Sequence, residues 1–362
     1  MYRLNKYKAV RGIAKTSFCL IFLIGSLSCG DGVINSYDSL TDEWTLMGLE
    51  GEDVRAIAVS KEDRNVIYAG SGSNFSDGIK GKLFRSKNAG TDWDTLLYNI
   101  TVIDIKTTSA KAGLVYAALG ITNFTLPGVI KSIDGGDSWE EISQGIPLDS
   151  EKGVGQLAVD PIDPQIIYAG TGGFGGGSLY KTVNGGDSWD DIGKDIPDAN
   201  LWSVSVVPSD PKTIYLGTIF IGGVFKSTDA GLTWKSTELW EVGAISDIAI
   251  DPNDHDRIVA SGAIGSTAST FISSDAGVTW NVLGDKRPGA SIVIDELYSN
   301  IYTGSGFGVF KYDEGSDNWI DFNQGLGDTL TRVRELEYIG SSEILLAGTV
   351  KGIYGRKLNV EE

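Results

Sequence analysis

The sequence predicts an all-β chain closed into a single seven-bladed β-propeller, and three observations carry the prediction. A segment Ser/Thr-x-Asp/Asn-x-Gly-x-Ser/Thr/Asp-Trp recurs along the chain. An Ile-Tyr-Ala-Gly segment recurs in step with it, in seven copies. Successive Trp of the series stand 39 to 50 residues apart. Units of roughly 40–50 residues that hold four short strands each are propeller blades, not turns of a helical solenoid. Composition agrees, since 48 Gly and 10% aromatics in 362 residues suit short strands joined by tight turns.

The first landmark, called the box below, runs from Ser86 to Trp93, Ser132 to Trp139, Thr182 to Trp189, Ser227 to Trp234 and Ser273 to Trp280. A decayed copy ends at Trp319, and a lone Trp44 opens the series. The second landmark starts at Ile67, Val115, Ile167, Ile214, Ile258, Ile301 and Leu345. A strand-like alternation precedes each copy, as in Ile57-Ala-Val59 and Ile248-Ala-Ile250. Each unit therefore reads as strand a (Ile-Ala-Val type), strand b (Ile-Tyr-Ala-Gly type), strand c (Gly223 to Lys226 type) and strand d, beginning at the repeat Trp. The last unit, 331–358, lacks a Trp strand, and the strand at Trp44 lacks a unit. Trp44 is expected to complete the last blade, which joins the chain ends and covers an edge.

The box has a structural reading. Its Asp or Asn oxygen accepts backbone N–H groups one or two residues ahead. Its Gly takes a positive φ, and its Trp lays a large apolar face into the blade. Asn88, Asp134, Asn184, Asp229 and Asp275 are thus turn-builders, neither catalytic carboxylates nor calcium ligands.

Residues 1–28 differ from the rest. Arg3, Lys6, Lys8, Arg11 and Lys15 precede an apolar run from Phe18 to Leu27, and no acid is present. That is a secretory signal peptide, too short in its apolar part to span a bilayer. Ser28-Cys29 resembles a bacterial lipobox, with Ser26 where Leu is usual, so Cys29 is expected to be lipidated; a conventional signal peptide is the alternative. The expected organisation is signal peptide 1–28, tether 29–39, propeller 40–358 and tail 359–362. Without residues 1–28, 25 Lys+Arg face 48 Asp+Glu, a net of −23. Such a polyanion repels nucleic acid and anionic lipid, leaving a lipid anchor as the membrane contact. Cys19 and Cys29 are the two cysteines, so no disulfide, thiolate metal site or cofactor is expected in the mature domain. An exported periplasmic or cell-surface protein follows, with its oligomeric state open.

The boxes resemble those of the Asp-box (BNR-repeat) propeller superfamily over about residues 40–358. Leu157-Ala-Val-Asp-Pro161, Ile167-Tyr-Ala-Gly170 and Tyr180 to Trp189 are similar to the xyloglucanase-type repeat. The superfamily includes sialidase-like, sortilin-like, xyloglucanase-like and photosystem II assembly-factor-like propellers. The resemblance implies the fold and leaves activity open. The Phe/Tyr-Arg-Ile-Pro motif of sialidases is missing, the xyloglucan hydrolases use two propellers, and sortilin-like receptors add a Cys-rich region. A single seven-bladed, lipid-anchored assembly-factor-like build matches best.

In such a propeller the b–c and d–a loops share one face and the boxes the other. Phe75, Phe124, Phe174, Phe220 and Phe307 fall in b–c loops, and Trp202 and Trp240 in or beside d–a connections. Exposed aromatics there would hold a sugar face or a protein partner; the alternative is that they plug the channel. Arg55 and Arg334 occupy equivalent places in the neighbouring first and last blades, with Arg332 and Arg287 near. They suit a carboxylate or phosphate, although pairing with Glu50, Glu52, Asp53 or Asp328 is the stronger expectation. A triad at His255 is not expected. Acid/base carboxylates among Asp149, Glu151, Asp195, Asp198 and Asp328 stay open, since a glycosidase needs two across a cleft. The leading expectation is a non-catalytic binding or assembly module for an envelope protein or polysaccharide. The alternative is a glycoside hydrolase of xyloglucanase-like or sialidase-like type.

Overall fold

The computed structural model describes residues 7–8, 36–72, 80–120, 127–149, 152–173, 176–196, 200–219, 223–240, 243–264, 267–284, 289–327 and 331–358. Their strands form seven antiparallel sheets, each ordered a-b-c-d. Blade 1 is Val54–Val59, Ile67–Ser71, Lys82–Ser86 and Asp94–Tyr98; blade 2 is Val102–Thr107, Val115–Leu119, Gly128–Ser132 and Ser138–Glu141. Blade 3 is Lys152–Val159, Ile167–Gly173, Leu179–Thr182 and Asp190–Asp191; blade 4 is Leu201–Val206, Ile214–Thr218, Gly223–Ser227 and Lys235–Trp240. Blade 5 is Ile245–Ile250, Ile258–Ile264, Thr267–Ser273 and Asn281–Val282; blade 6 is Ser291–Ile294, Ile301–Ser305, Gly308–Asp313 and Asn318–Asp321. Blade 7 takes strands a to c from Val333–Ile339, Ile344–Thr349 and Gly352–Lys357, and its strand d from Thr45–Gly48 near the other end of the chain. A two-residue strand, Tyr7–Lys8, adds to the outer edge of blade 2 against Trp139 and Ser138.

The closure is as expected. The indole N–H of Trp44 donates to the carbonyl of Phe322 in blade 6 at 2.6 Å. Trp189, Trp234 and Trp319 make the same bond to Ile142, Ile192 and Leu283 of the blade before their own. Trp44 is therefore a repeat Trp that has lost its box. Strand d begins one residue past the Trp in blades 1, 3, 4, 5 and 7, not at it.

The core lies between blades. Seven clusters of buried residues are described, one at each interface, from Leu83–Ile105–Trp139 between blades 1 and 2 to Val54–Leu346–Ile353 between blades 7 and 1. The strand-b tyrosines Tyr68, Tyr116, Tyr168, Tyr215 and Tyr302 are all buried. Each is large and apolar in body, with a hydroxyl that reaches the interface.

The boxes are turns, as expected, with one correction of detail. Asp229 Oδ1 accepts the N–H of Thr233, four residues ahead, at 2.9 Å, and Oδ2 accepts the Thr233 hydroxyl at 2.6 Å. Asp134 and Asp275 do the same to Ser138 and Thr279, and the amides of Asn184 and Asn88 follow the pattern. The carboxyl thus spans the whole turn. The nearer N–H groups go to the box Ser or Thr instead, as Gly231 N–H does to Ser227 Oγ at 2.9 Å. These bonds hold Asp229 and Asp275 down at about 2, the Thr hydroxyl being the first cause in each.

Candidate binding face

Strand a is the innermost strand of every blade, so its free edge faces the central channel. In blades 1, 2, 3, 4, 5 and 7 it carries a β-bulge at one and the same place. The bulged residues are Arg55, Ile103, Gly155, Trp202, Ser246 and Arg334. A bulge at the start of a strand re-aims its side chain, and these six stand around the channel mouth, on the face of the d–a and b–c loops. Arg55 lies flat over Gly72, where a Cβ would meet its guanidinium, and Ile103 lies over Gly120 in the same way.

The next position along strand a, which in the unbulged blade 6 is Ser291, forms a second, deeper ring. Asp104, Gln156, Asp247 and Ser291 accept an N–H from the next blade, that of Leu157, Val204, Ile292 and Leu336, at 2.6 to 3.1 Å. The edge N–H groups that no strand covers are satisfied this way. Two of the ring's carboxylates are thus structural, which the sequence reading missed; the clue was a polar residue at one fixed place in five or more strands a. The ring also holds Glu335, and Lys106 one step below bonds Asp104 at 2.9 Å. The Lys106 side chain keeps 33% of its surface exposed. Burial opposes its charge, yet Asp104, Glu335 and Glu337 outweigh it and hold the ammonium above its ordinary value. Burial pushes Glu335 well up, helped by Asp247 and Asp104 and opposed by Lys106. Asp247 is raised by burial too.

The arginine pair meets the acid that the sequence named. Arg55 binds Asp53 at 2.8 and 2.9 Å, and Arg334 binds the same carboxylate from the neighbouring blade at 3.0 and 3.2 Å. Glu52 is taken by Lys82 and the Ser71 hydroxyl. One carboxylate against two guanidiniums leaves a positive balance, and the exposed Arg332 adds to it beside Gly306. Phe307 sits in that two-residue b–c turn and is 52% exposed, and Trp202 on its bulge is 48% exposed. Neither plugs the channel. Trp202 belongs to strand a itself and not to the connection before it, and Trp240 ends strand d of blade 4. Phe75, Phe124, Phe174, Phe220, Cys29, Arg287, Glu151, Asp198 and Asp328 lie outside the described residues.

His255 shares a hydrogen bond with the Ser209 hydroxyl on an exposed turn. Among the described residues no carboxylate bonds its other nitrogen, so the pair is no triad. Among the described residues no three His, Cys, Asp or Glu side chains group as metal ligands.

No protein-family model matches the chain. Xyloglucanase Xgh74A of Acetivibrio thermocellus is 23% identical over 234 residues, covering 51% of this chain and 28% of that protein. The chain therefore spans less than a third of that relative's length. Among solved structures, the Niastella koreensis GH74 enzyme superposes with a TM-score of 0.67 at 19% identity, over 86% of this chain and 53% of its own. YCF48 from Cyanidioschyzon merolae gives 0.63 at 14% identity, over 86% of this chain and 98% of its own. The chain is a seven-bladed β-propeller. The extracellular domain of a putative one-component system from B. thetaiotaomicron superposes too, with a TM-score of 0.64 at 13% identity, over 88% of this chain and 40% of its own. At these identities the likeness is one of fold. Its fold neighbours thus include GH74 enzymes and YCF48, the latter also recorded bound to a D1 peptide.

Proposed function

We propose that this propeller is a non-catalytic binding or assembly module, exported and anchored through Cys29, which holds a protein or glycan of the cell envelope on the channel-mouth face. The observation that carries the reading is that the exposed Trp202 and Phe307 share one face with the Arg55–Asp53–Arg334 bridge. Exposed aromatics supply contact area at low entropic cost, and the arginine forks supply directed donors for a carboxylate or carbonyl. Asp104 and Asp247 of the deeper ring are occupied as backbone acceptors, which suits a binding role for them better than acid/base work. A fold neighbour that holds a peptide supports a protein ligand.

A glycoside hydrolase is the second reading, favoured by the partial match to a xyloglucanase. The purified protein would be offered xyloglucan, β-glucans and sialylated glycans, with reducing-sugar release and direct binding both measured. The expected outcome is binding without release, lost in a Trp202→Ala/Phe307→Ala variant that keeps its melting temperature. Release of sugar would replace the binding reading with the hydrolase. Unchanged binding in the double variant would move the site off this face.

A further inference from the structure

Part of the expected tether, 29–39, belongs to the fold. Ser36–Ser39 form a short 3-10 helix. The Ser36 hydroxyl donates to the carbonyl of Ala89, inside the box of blade 1. The Tyr37 hydroxyl donates to the Arg64 carbonyl, in the a–b turn of the same blade, at 2.7 Å. Tyr37 and Leu40 are buried in the cluster that holds Met47, Phe84 and Ile353. The carbonyl of Thr41 accepts the N–H of Lys357 at 2.8 Å. The a–b turns and the boxes lie at the same end of the strands, so the chain is pinned to the box face from Ser36 onward.

Cys29 stands seven residues before Ser36. Seven residues span about 25 Å at most when fully extended. Strands b, which separate the two faces, are five to seven residues long, and at that length they measure about 17–23 Å. The box hairpins and the mouth loops add to that height, and a tether bound for the mouth must first round the outer strands. A lipid on Cys29 sits in the bilayer, so the box face comes within its reach and the channel mouth does not. The surface agrees. Ile133, Ile162, Val183, Leu232, Val278 and Tyr298 are 58% to 76% exposed, and all six stand on boxes or a–b turns. Single exposed apolar side chains are ordinary. Six at the end from which the tether leaves suit the boundary of headgroups and acyl chains, where interfacial apolar groups lie roughly 5–10 Å deep. Asp229 and Asp275 on the same face, held at about 2, stay charged at neutral pH and repel anionic lipid. The surface that fits is therefore zwitterionic.

We infer that the box face lies against a zwitterionic bilayer, with its apolar tips at the headgroups and with Trp202, Phe307 and the arginine bridge turned away from the membrane. The inference rests on the anchor at Cys29 proposed above. It adds the side from which a ligand approaches, since the channel mouth then opens away from the lipid.

The test uses the mature chain in phosphatidylcholine vesicles whose acyl chains carry a spin label near the headgroup, a quencher of nearby fluorophores. A nitrobenzoxadiazole label is attached through Leu232→Cys on a box and, in a separate variant, through Tyr98→Cys at the mouth end of strand d of blade 1, where the side chain is 52% exposed. The mass of the N-terminal peptide reports whether Cys29 carries lipid. Lipid on Cys29, loss of fluorescence from the label at Leu232 and no loss from that at Tyr98 is the expected result. With the lipid present, quenching of both labels or of the Tyr98 label alone would overturn the orientation. Quenching of neither would overturn it too, leaving the apolar tips to a protein partner. The anchor survives all three of these outcomes. A Cys29 without lipid would instead overturn the anchor, and the orientation with it.

Discussion

Ala230 holds a φ of +60°, and Ala89 and Ala276 hold +57° and +58°, at the box position where blades 2 and 3 place Gly135 and Gly185. The following Gly is also at positive φ in every one of these boxes, so each turn runs two left-handed residues in succession. A Cβ in that region costs about 1–2 kcal/mol, and the carboxyl that spans the turn holds the alanines there. Glycine would relieve the strain but widen the unfolded ensemble. Ala230→Gly is therefore expected to stabilise by about 0.5–1 kcal/mol, the difference between those two terms, read as a higher urea midpoint at unchanged m-value. A lower midpoint would show that the Ala230 methyl contributes packing that outweighs its strain.

Strands a show what an element asks of its residues and how far the sequence discloses it. The propeller, its count and its closure were legible because the box and Ile-Tyr-Ala-Gly periods are local and repeat in step. The Arg55 and Arg334 pairing with Asp53 was legible from their equivalence in neighbouring blades. The bulge was not, since a one-residue slip leaves no mark in composition, and it is the bulge that turns Trp202 outward. Nor was the inner ring, because Asp104, Gln156, Asp247 and Ser291 lie 35 or more residues apart and meet only when the ring closes. The deep ring makes a sharp prediction. Gln156→Leu keeps the side-chain volume but leaves the Val204 N–H, bonded at 2.6 Å, without an acceptor. A buried amide so orphaned costs about 1–3 kcal/mol. Hydrogen exchange at Val204 should accelerate with the global destabilisation, whereas an unchanged rate would mean that channel water takes over the bond.

The whole molecule brings together groups that no blade holds alone. Asp104 and Lys106 come from blade 2, Asp247 from blade 5, and Glu335 and Glu337 from blade 7, and all meet in the channel. Lys106 is the ammonium at their centre, Glu337 having Lys61 within 3.6 Å as well, and a chain with net charge −18 offers no general positive field to help them. Glu335 is the odd group, held well above 4.5 by burial first and by Asp247 and Asp104 next, with Lys106 too small a counterweight. An acid whose pKa is raised on folding stabilises the fold fully below its unfolded value, and that stabilisation fades as the pH climbs through the folded value. Wild type should thus lose stability from about pH 4.5 upward on account of this residue. Glu335→Gln keeps the shape and removes the charge. It should melt above wild type at neutral pH, converge with it as the pH falls toward 4.5, and show a flatter profile between. Asp247, raised in the same sense by its burial, adds a residual slope in the variant. Melting curves from pH 4 to 8 decide the matter: parallel profiles for the two proteins would mean that Glu335 is ionised and hydrated in the channel at no cost to the fold.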